Sequence, residues 1–212
     1  VHGDTVIPGV PGTGSPVELF FMDPGGATTG KLFPTGKRKE MLIVPGYGEI
    51  EVSIIDCANS IVFVRAKDLG LTGAELLELN ENKPAMDRIE FIRCMAAQKC
   101  GFVERWEDAK TKSTSLPKVS IVSLPQDYTD IDGGKETAQD MDICVRAISV
   151  GSLHKAYPIT VSVGTGAAAM LSGTIVHDMV KPEAGQTTIR LGHASGITPV
   201  SIVLDGDKVV KG

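Results

Sequence analysis

Two kinds of hydrophobic pattern recur along the chain, short runs rich in β-branched residues and longer runs with helical spacing. Apolar and charged positions alternate most clearly across residues 49–56, and such alternation is typical of a strand with one buried face. By these criteria we predict strands at residues 17–22, 40–44, 49–56, 60–66, 118–124, 142–150, 174–180, 187–193, 197–204 and 208–211.

The helical patterns are of two types. Residues 85–101 place Ile89, Ile92, Met95 and Ala96 at helical spacing, with charged residues mostly elsewhere, which predicts an amphipathic surface helix. Residues 160–173 contain only small or apolar side chains and no charge. A helix without a polar face is expected inside a protein, surrounded on every side. A further short helical segment is predicted at residues 74–79.

These elements predict an α+β fold with one helix outside and one enclosed by a curved, mostly antiparallel sheet. Residues 1–16 are rich in Gly and Pro and are expected to form an irregular lead-in. Residues 17–212 are expected to form a single domain. Because the chain starts at Val1 and stops at Gly212 just after a strand-like run, we interpret it as a piece of a longer polypeptide.

Composition narrows the function classes. The net charge of −5 and a pI near 5.4 argue against a surface for nucleic acid or anionic membranes. The sequence has no apolar run of the length that a transmembrane helix needs and no signal-peptide pattern at its start, so a cytoplasmic location is expected. The four cysteines lack zinc-site spacing, and we expect free thiols and no bound metal.

Three familiar motifs are approached but not completed. The loop GGATTGK (residues 25–31) lacks the spacing of a phosphate-binding P-loop. Asp127, Asp130 and Asp132 lack the Gly and Glu of an EF-hand calcium loop. Ser149 and Ser195 have histidines nearby in the sequence, but no nucleophile-elbow motif is present. The P-loop, calcium and hydrolase interpretations are therefore not favoured.

The stretch from Arg146 to Thr160 holds the better candidates, because it leads from a strand through a polar loop to the start of the apolar helix. Free backbone N–H groups and a partial positive charge at a helix start suit a carboxylate or phosphate. Arg146 has two readings, an outward-facing strand residue or a bidentate carboxylate clamp. Thr160 is expected as the N-cap, a ligand donor or both.

Six motifs, in this order along the chain, resemble the PrpF family of 2-methylaconitate isomerases, which are related in fold to diaminopimelate epimerase. They are FPTG (33–36), FVRAKDLGLTGAEL (63–76), PKVSIVSLPQDY (117–128), DMDICVRAISVGSLHKA (140–156), SGTIV (172–176) and IRLGHASG (189–196). The resemblance covers nearly the whole chain and corresponds to the family's C-terminal half. It implies two similar halves, each with a sheet wrapped around a central helix, and an active site between them.

The resemblance also implies an activity, the cofactor-independent isomerisation of a small unsaturated di- or tricarboxylate of the 2-methylaconitate, methylitaconate or oxalomesaconate type. A general base and preorganised donors would carry such proton transfer. The family's lysine and cysteine motifs, SxSK and GNCGN, do not occur in this sequence. No catalytic residue is therefore assigned here. The parent protein is expected to be an isomerase, allylic or cis–trans, and the isolated chain inactive.

What the resemblance does assign to this chain is substrate binding. The residues it places on the wall of the site are Arg146, Ser149, His154, Thr160, His193, Ser195 and Gly196. Implied partners are the polycarboxylate, an N-terminal domain of the same protein and a second copy of the chain through the exposed wall, with neither nucleic acid nor membrane.

Ile159 stands where relatives carry Gly before the helix-start Thr. This departure supports an alternative, a non-catalytic accessory or binding protein that keeps the fold. A racemase of the related fold is ranked below both, because no cysteine follows Cys144.

Overall fold

A mixed sheet of eight strands is the central feature of the computed structural model, which describes residues 3–212. In chain order the strands are β1 Glu40–Val44, β2 Gly48–Cys57, β3 Asn59–Arg65, β4 Lys118–Ser123, β5 Tyr128–Thr129, β6 Lys135–Glu136, β7 Ile143–Ser149, β8 Ser152–Leu153, β9 Thr188–His193, β10 Gly196–Ser201, β11 Val203–Asp205 and β12 Lys208–Lys211. The α-helices are α1 Lys83–Lys99, α2 Ala109–Lys112, α3 Ile159–Met170 and α4 Ile175–Val180.

The strand order in the large sheet is β1-β2-β3-β4-β7-β9-β10, and β8 adds to β7. Only β3 with β4 and β7 with β9 are parallel pairs, while the other neighbours in this sheet are antiparallel. The short pairs β5–β6 and β11–β12 lie outside it. The chain is therefore an α+β protein with a mostly antiparallel sheet, as its sequence predicts.

Both faces of the sheet are covered by apolar side chains, because successive residues of a strand point to opposite faces. In β2, Val52 and Ile54 belong to the core that includes α1, whereas Ile55 and Cys57 belong to the core that includes α3. The sheet thus lies between the two helices. As a result, β2 is buried at nearly every position after Gly48 and Glu49.

The small residues of α3 allow it to lie close against the sheet. Every side chain from 161 to 169 is buried. A Cβ at Gly164 would collide with Ile61 of β3, and one at Gly166 would lie 2.8 Å from Ile202. Glycine in this helix therefore serves close packing rather than flexibility.

Two strand predictions are wrong. Instead of a strand over 174–180, residues Ile175–Val180 form α4, and Thr174 caps this helix by accepting a hydrogen bond from the His177 N–H at 3.0 Å. A capping side chain thereby prevails over the β-branched composition of the segment. Residues 17–22 form no regular strand, although Met22 makes an isolated bridge with Lys211 and the backbone of Phe21 bonds that of Gly212.

All three helix predictions shift along the chain, and the apolar run predicted as a helix at 160–173 forms α3 at Ile159–Met170. The amphipathic helix begins at Lys83, two residues earlier than predicted, because Asn82 accepts from the Ala85 N–H and Pro84 is tolerated in the first turn. The short helical segment lies at Leu77–Glu81 as a 3₁₀-helix.

The Gly-rich loop at 25–31 binds a carboxylate of its own chain. Asp56 is fully buried, and its Oδ2 accepts hydrogen bonds from the Thr28 N–H at 2.8 Å, the Thr29 N–H at 2.5 Å and the Thr29 hydroxyl at 2.8 Å. The loop amides that a phosphate would need are therefore already occupied. Within residues 3–212, the helices all fall short of the length and apolarity needed to cross a membrane.

Candidate functional site

Strand β7 ends, and strands β3 and β4 begin, at the edge of the sheet where α3 also begins. Two hydrogen-bonded pairs of side chains lie there, Lys118 with Ser149 and Asn59 with Thr160. We call this group the α3 edge. Strand register places Lys118 beside Ser149. Lys118 pairs with Ile61 of β3, and the next residue, Val119, pairs with Ile148, the residue before Ser149.

Side-chain alternation places all three strand residues of the α3 edge on the face that α3 covers. Asn59 lies two residues before the core residue Ile61, Lys118 two before Ser120, and Ser149 two after Ala147. The Lys118 Nζ donates to the Ser149 Oγ at 2.7 Å, and the Asn59 Nδ2 donates to the Thr160 Oγ1 at 3.4 Å. The edge therefore presents an ammonium, an amide and two hydroxyl groups.

The first turn of α3 lacks a side-chain cap. Pro158 occupies the N-cap position, so Thr160 lies inside the first turn and is not the N-cap that the sequence suggests. The first helical hydrogen bond runs from the Ser162 N–H to the Pro158 carbonyl at 2.9 Å. The backbone N–H groups of residues 159–161 precede it, and at such a position they favour an anion. Ile159 is 54% exposed beside them.

Tyr157 anchors the start of α3 on the sheet. Its hydroxyl lies 2.6 Å from the Ser120 Oγ and 2.8 Å from the Thr165 Oγ1, which in turn donates to the Val161 carbonyl. Burial raises the pKa of Tyr157 to about 12. The phenol therefore stays neutral and acts as a fixed hydrogen-bonding group beneath the helix start.

His193 lies behind Tyr157, with the two rings stacked at 6.4 Å between centroids. Its Nδ1 accepts from the Ser195 N–H at 3.3 Å, and its Nε2 lies 2.8 Å from the Thr198 Oγ1. Burial, and secondarily the Arg146 guanidinium, lowers the pKa of His193 to about 4. A buried imidazole with both nitrogens occupied is a structural group and offers no base to a ligand.

Ser195 lies in the turn between β9 and β10, and Gly196 is the first residue of β10, so neither belongs to the α3 edge. They line a cavity of about 520 Å³, together with residues 6–11 of the lead-in and acidic side chains that include Asp130 and Glu136. The Tyr128 hydroxyl donates to the His193 and Gly196 carbonyls at 2.7 and 3.1 Å and so fixes this turn. The acidic lining makes the cavity a poor site for a carboxylate.

Arg146 faces away from α3. Its side chain is buried, with Nε donating to the Glu75 carbonyl at 2.6 Å and Nη1 donating to the Val145 and Gly192 carbonyls at 2.8 and 3.3 Å. Arg146 is three residues before Ser149, so strand alternation places their side chains on opposite faces of the sheet. The clamp near the helix start is therefore not formed. His154 is exposed, with Nδ1 2.9 Å from the Ala156 carbonyl.

Of the residues suggested by sequence, the structure pairs Ser149 with Lys118 and Thr160 with Asn59, two residues that were missed. Lys118 had a detectable signal, since it shares the parity of Ser120 and is the charged residue of a strand that otherwise contains Val, Ile and Ser. The sequence does not show the order of the strands in the sheet, and this order makes Lys118 and Ser149 neighbours.

The described residues offer no thiolate for chemistry at this edge. Burial raises the pKa values of Cys57, Cys94 and Cys100 to about 12, 11 and 12, and it also raises that of Cys144. Across residues 3–212, the His, Cys, Asp and Glu side chains form no group of three or more that is arranged to hold a metal ion.

The architecture defines an α+β protein whose central sheet ends in polar side chains beside the start of α3. Comparison with known proteins identifies it further. The chain belongs to the PrpF family, whose model, described as PrpF protein, matches residues 1–211. This confirms the family resemblance seen in the sequence motifs.

Individual relatives agree with this assignment. The chain is 39% identical over 209 residues to 3-methylitaconate isomerase of Eubacterium barkeri, covering 97% of this chain and 55% of that protein. It is 33% identical to 2-methyl-aconitate isomerase of Shewanella oneidensis, covering 92% and 49%. A crystal structure of methylitaconate-delta-isomerase superimposes with a TM-score of 0.90 at 36% identity, covering 98% of this chain and 54% of that one. The chain thus spans about half the length of these relatives.

Proposed function

We propose that this chain supplies the substrate-binding wall of an isomerase that acts on a small unsaturated di- or tricarboxylate by proton transfer. The relatives named for methylitaconate and 2-methyl-aconitate isomerisation support the substrate class. The single observation that carries the proposal is the α3 edge, where an ammonium bonded to one hydroxyl and an amide bonded to a second hydroxyl lie at the end of the sheet at which α3 begins. Such fixed donors stabilise carboxylates and the negative charge that develops when a proton is removed.

In this proposal the general base lies outside these residues, in an N-terminal half of the same enzyme, and no cofactor takes part. Two features support this view. Cys57 and the other thiols have raised pKa values, and His193 has both ring nitrogens engaged. The curved sheet with α3 at its centre then forms one of two similar halves that meet around the substrate. A cytoplasmic location fits the substrate class.

Binding should be tested with trans-aconitate, a stable unsaturated tricarboxylate, by following backbone amide shifts in nuclear magnetic resonance. We expect the largest shifts at Ile159, Thr160 and Val161. Thr160→Val should weaken binding by about threefold to tenfold, because one charge-assisted hydrogen bond is lost. Ser172→Ala, just beyond the C-terminal end of α3, is the control and should leave binding unchanged. Shifts confined to the cavity beside Ser195 would contradict the proposal.

Catalysis is tested by incubating this chain alone with 2-methylaconitate in deuterated water. The expected result is no deuterium incorporation and no isomer, since a binding wall without a base provides positioning only. Turnover by the 212-residue chain would show that its own residues supply the base.

One observation favours a second function, a binding or accessory role without catalysis. Ile159 exposes a β-branched side chain at the first position of α3, where it crowds the approach to the helix amides. Ile159→Gly discriminates the two roles. If the site binds polycarboxylate in its native form, removing this side chain changes affinity only modestly. If Ile159 blocks the site, the variant gains affinity for trans-aconitate that the native chain lacks.

A further inference from the structure

Lys118 is the cation at the α3 edge, and no acidic side chain within residues 3–212 pairs with it. Among residues 3–212, five other lysines form ion pairs with carboxylates, namely Lys39, Lys83, Lys99, Lys112 and Lys208. Lys118 forms none. Its Nζ is held only by the neutral hydroxyl of Ser149, at 2.7 Å.

The surroundings of Lys118 make this unpaired charge unfavourable. The side chain is half-buried, and both burial and the Arg93 guanidinium lower its pKa. Arg93 is itself neutralised by Glu90 at 2.7 Å. A partly desolvated ammonium with one hydrogen bond retains two donors and an unmet demand for negative charge. An anion arriving at the α3 edge would satisfy both.

We propose that Lys118 is a specificity-determining residue that binds one carboxylate group of the substrate, with Ser149 holding the ammonium in position. This inference rests on the proposed function of the α3 edge. A second carboxylate of the same molecule would then lie toward Thr160 and the helix start. Two anchoring points select di- and tricarboxylates over monocarboxylates, because only the former engage both.

A purely structural role for Lys118 makes a different prediction. If the Lys118–Ser149 hydrogen bond served only to join β4 to β7, then removing either partner would have the same consequence. The two strands are already joined by backbone pairing from Val119 to Ser123, so the side-chain bond adds little to their connection. The charge, and not the bond, is the feature that the proposal requires.

The experiment compares trans-aconitate binding to four variants of the full chain by calorimetry. Lys118→Met keeps the stem and removes the charge, and we expect at least about tenfold weaker binding. Lys118→Arg keeps the charge and should restore affinity to within about threefold of native. Ser149→Ala keeps the ammonium and should cost about threefold. Lys112→Met removes an exposed charge elsewhere and is the matched control.

Each possible result either supports or contradicts the binding role of Lys118. Native affinity in Lys118→Met would overturn the role of Lys118 while leaving the proposed function intact. Equal losses in Ser149→Ala and Lys118→Met, with no rescue by Lys118→Arg, would establish the structural role instead. If the native chain binds trans-aconitate no better than acetate, the proposed function fails and the role of Lys118 fails with it. Unfolding midpoints of all four variants are measured alongside, and Lys118→Met is expected to match native.

Discussion

Among single residues, His193 gives the sharpest prediction because its protonation is coupled to folding. Its pKa lies near 4 in the folded chain against 6.5 for the ordinary side chain. The unfolded state therefore binds more protons between these values, and stability falls as the pH falls through that window. We expect a loss of about 3 kcal/mol in the free energy of unfolding from pH 7 to pH 4, which follows from the size of the shift. Urea unfolding at several pH values measures it.

The control for this prediction is His193→Gln, whose amide can keep a hydrogen bond to Thr198 without titrating in this range. The variant should lose most of the pH dependence, whereas the exposed His154→Gln should retain it because His193 remains. An unchanged slope in His193→Gln would contradict the burial argument and assign the pH dependence to other groups.

At the same scale, sequence reasoning pointed to Ser149 and Thr160, whose role in binding stays a prediction, but could not place Arg146. The choice between an outward arginine and a clamp depended on which face of β7 is covered by α3. Both faces are covered, so an even or odd position no longer distinguishes solvent from core. Arg146 became a buried residue that binds three backbone carbonyls, an outcome that neither reading included.

Helix α3 illustrates how an element depends on side-chain volume. Gly164→Ala introduces a methyl group against Ile61 and 3.0 Å from the Cys57 carbonyl. Overpacking of this kind costs about 2 kcal/mol of stability, more than the gain in helix propensity from Gly to Ala, about 1 kcal/mol. Thermal unfolding should therefore show a lower midpoint for Gly164→Ala than for the native chain.

A second change tests the cause of that loss. Ile61→Val removes the methyl group that collides with the new Cβ. The double variant should therefore lose less stability than the sum of the losses in the two single variants. Such non-additivity is expected for residues in direct contact. Additive losses would show that the contact with Ile61 is not responsible.

Elements were predictable where pattern and local signals agreed. The charge-free run 160–173 gave α3, and the spacing in 85–101 gave α1. Residues 174–180 misled because a short helix with β-branched residues resembles a buried strand of the same length. The sequence carried one contrary signal, Thr174, because a threonine side chain can cap a helix that starts at the next residue.

At the scale of the molecule, one sheet is shared by two apolar cores, and this arrangement predicts cooperative unfolding. Ile92 lies in the α1 core and Val161 in the α3 core, both fully buried. Because the strands between them contribute side chains to both faces, loss of either core removes support from the other. Ile92→Ala and Val161→Ala should therefore each lower one common unfolding transition, by about 2–4 kcal/mol.

The test follows each side of the sheet separately. Fluorescence of Trp106, which packs beside α1, reports one face, and amide exchange in α3 reports the other. Coincident transitions in both variants would support the prediction from sequence that residues 17–212 form a single domain, while Val203→Ala, at an exposed position, should leave the midpoint nearly unchanged. Separate transitions would show that the faces unfold independently. The α3 edge would then rest on its own core alone, and mutations in α1 would leave the affinity for trans-aconitate untouched.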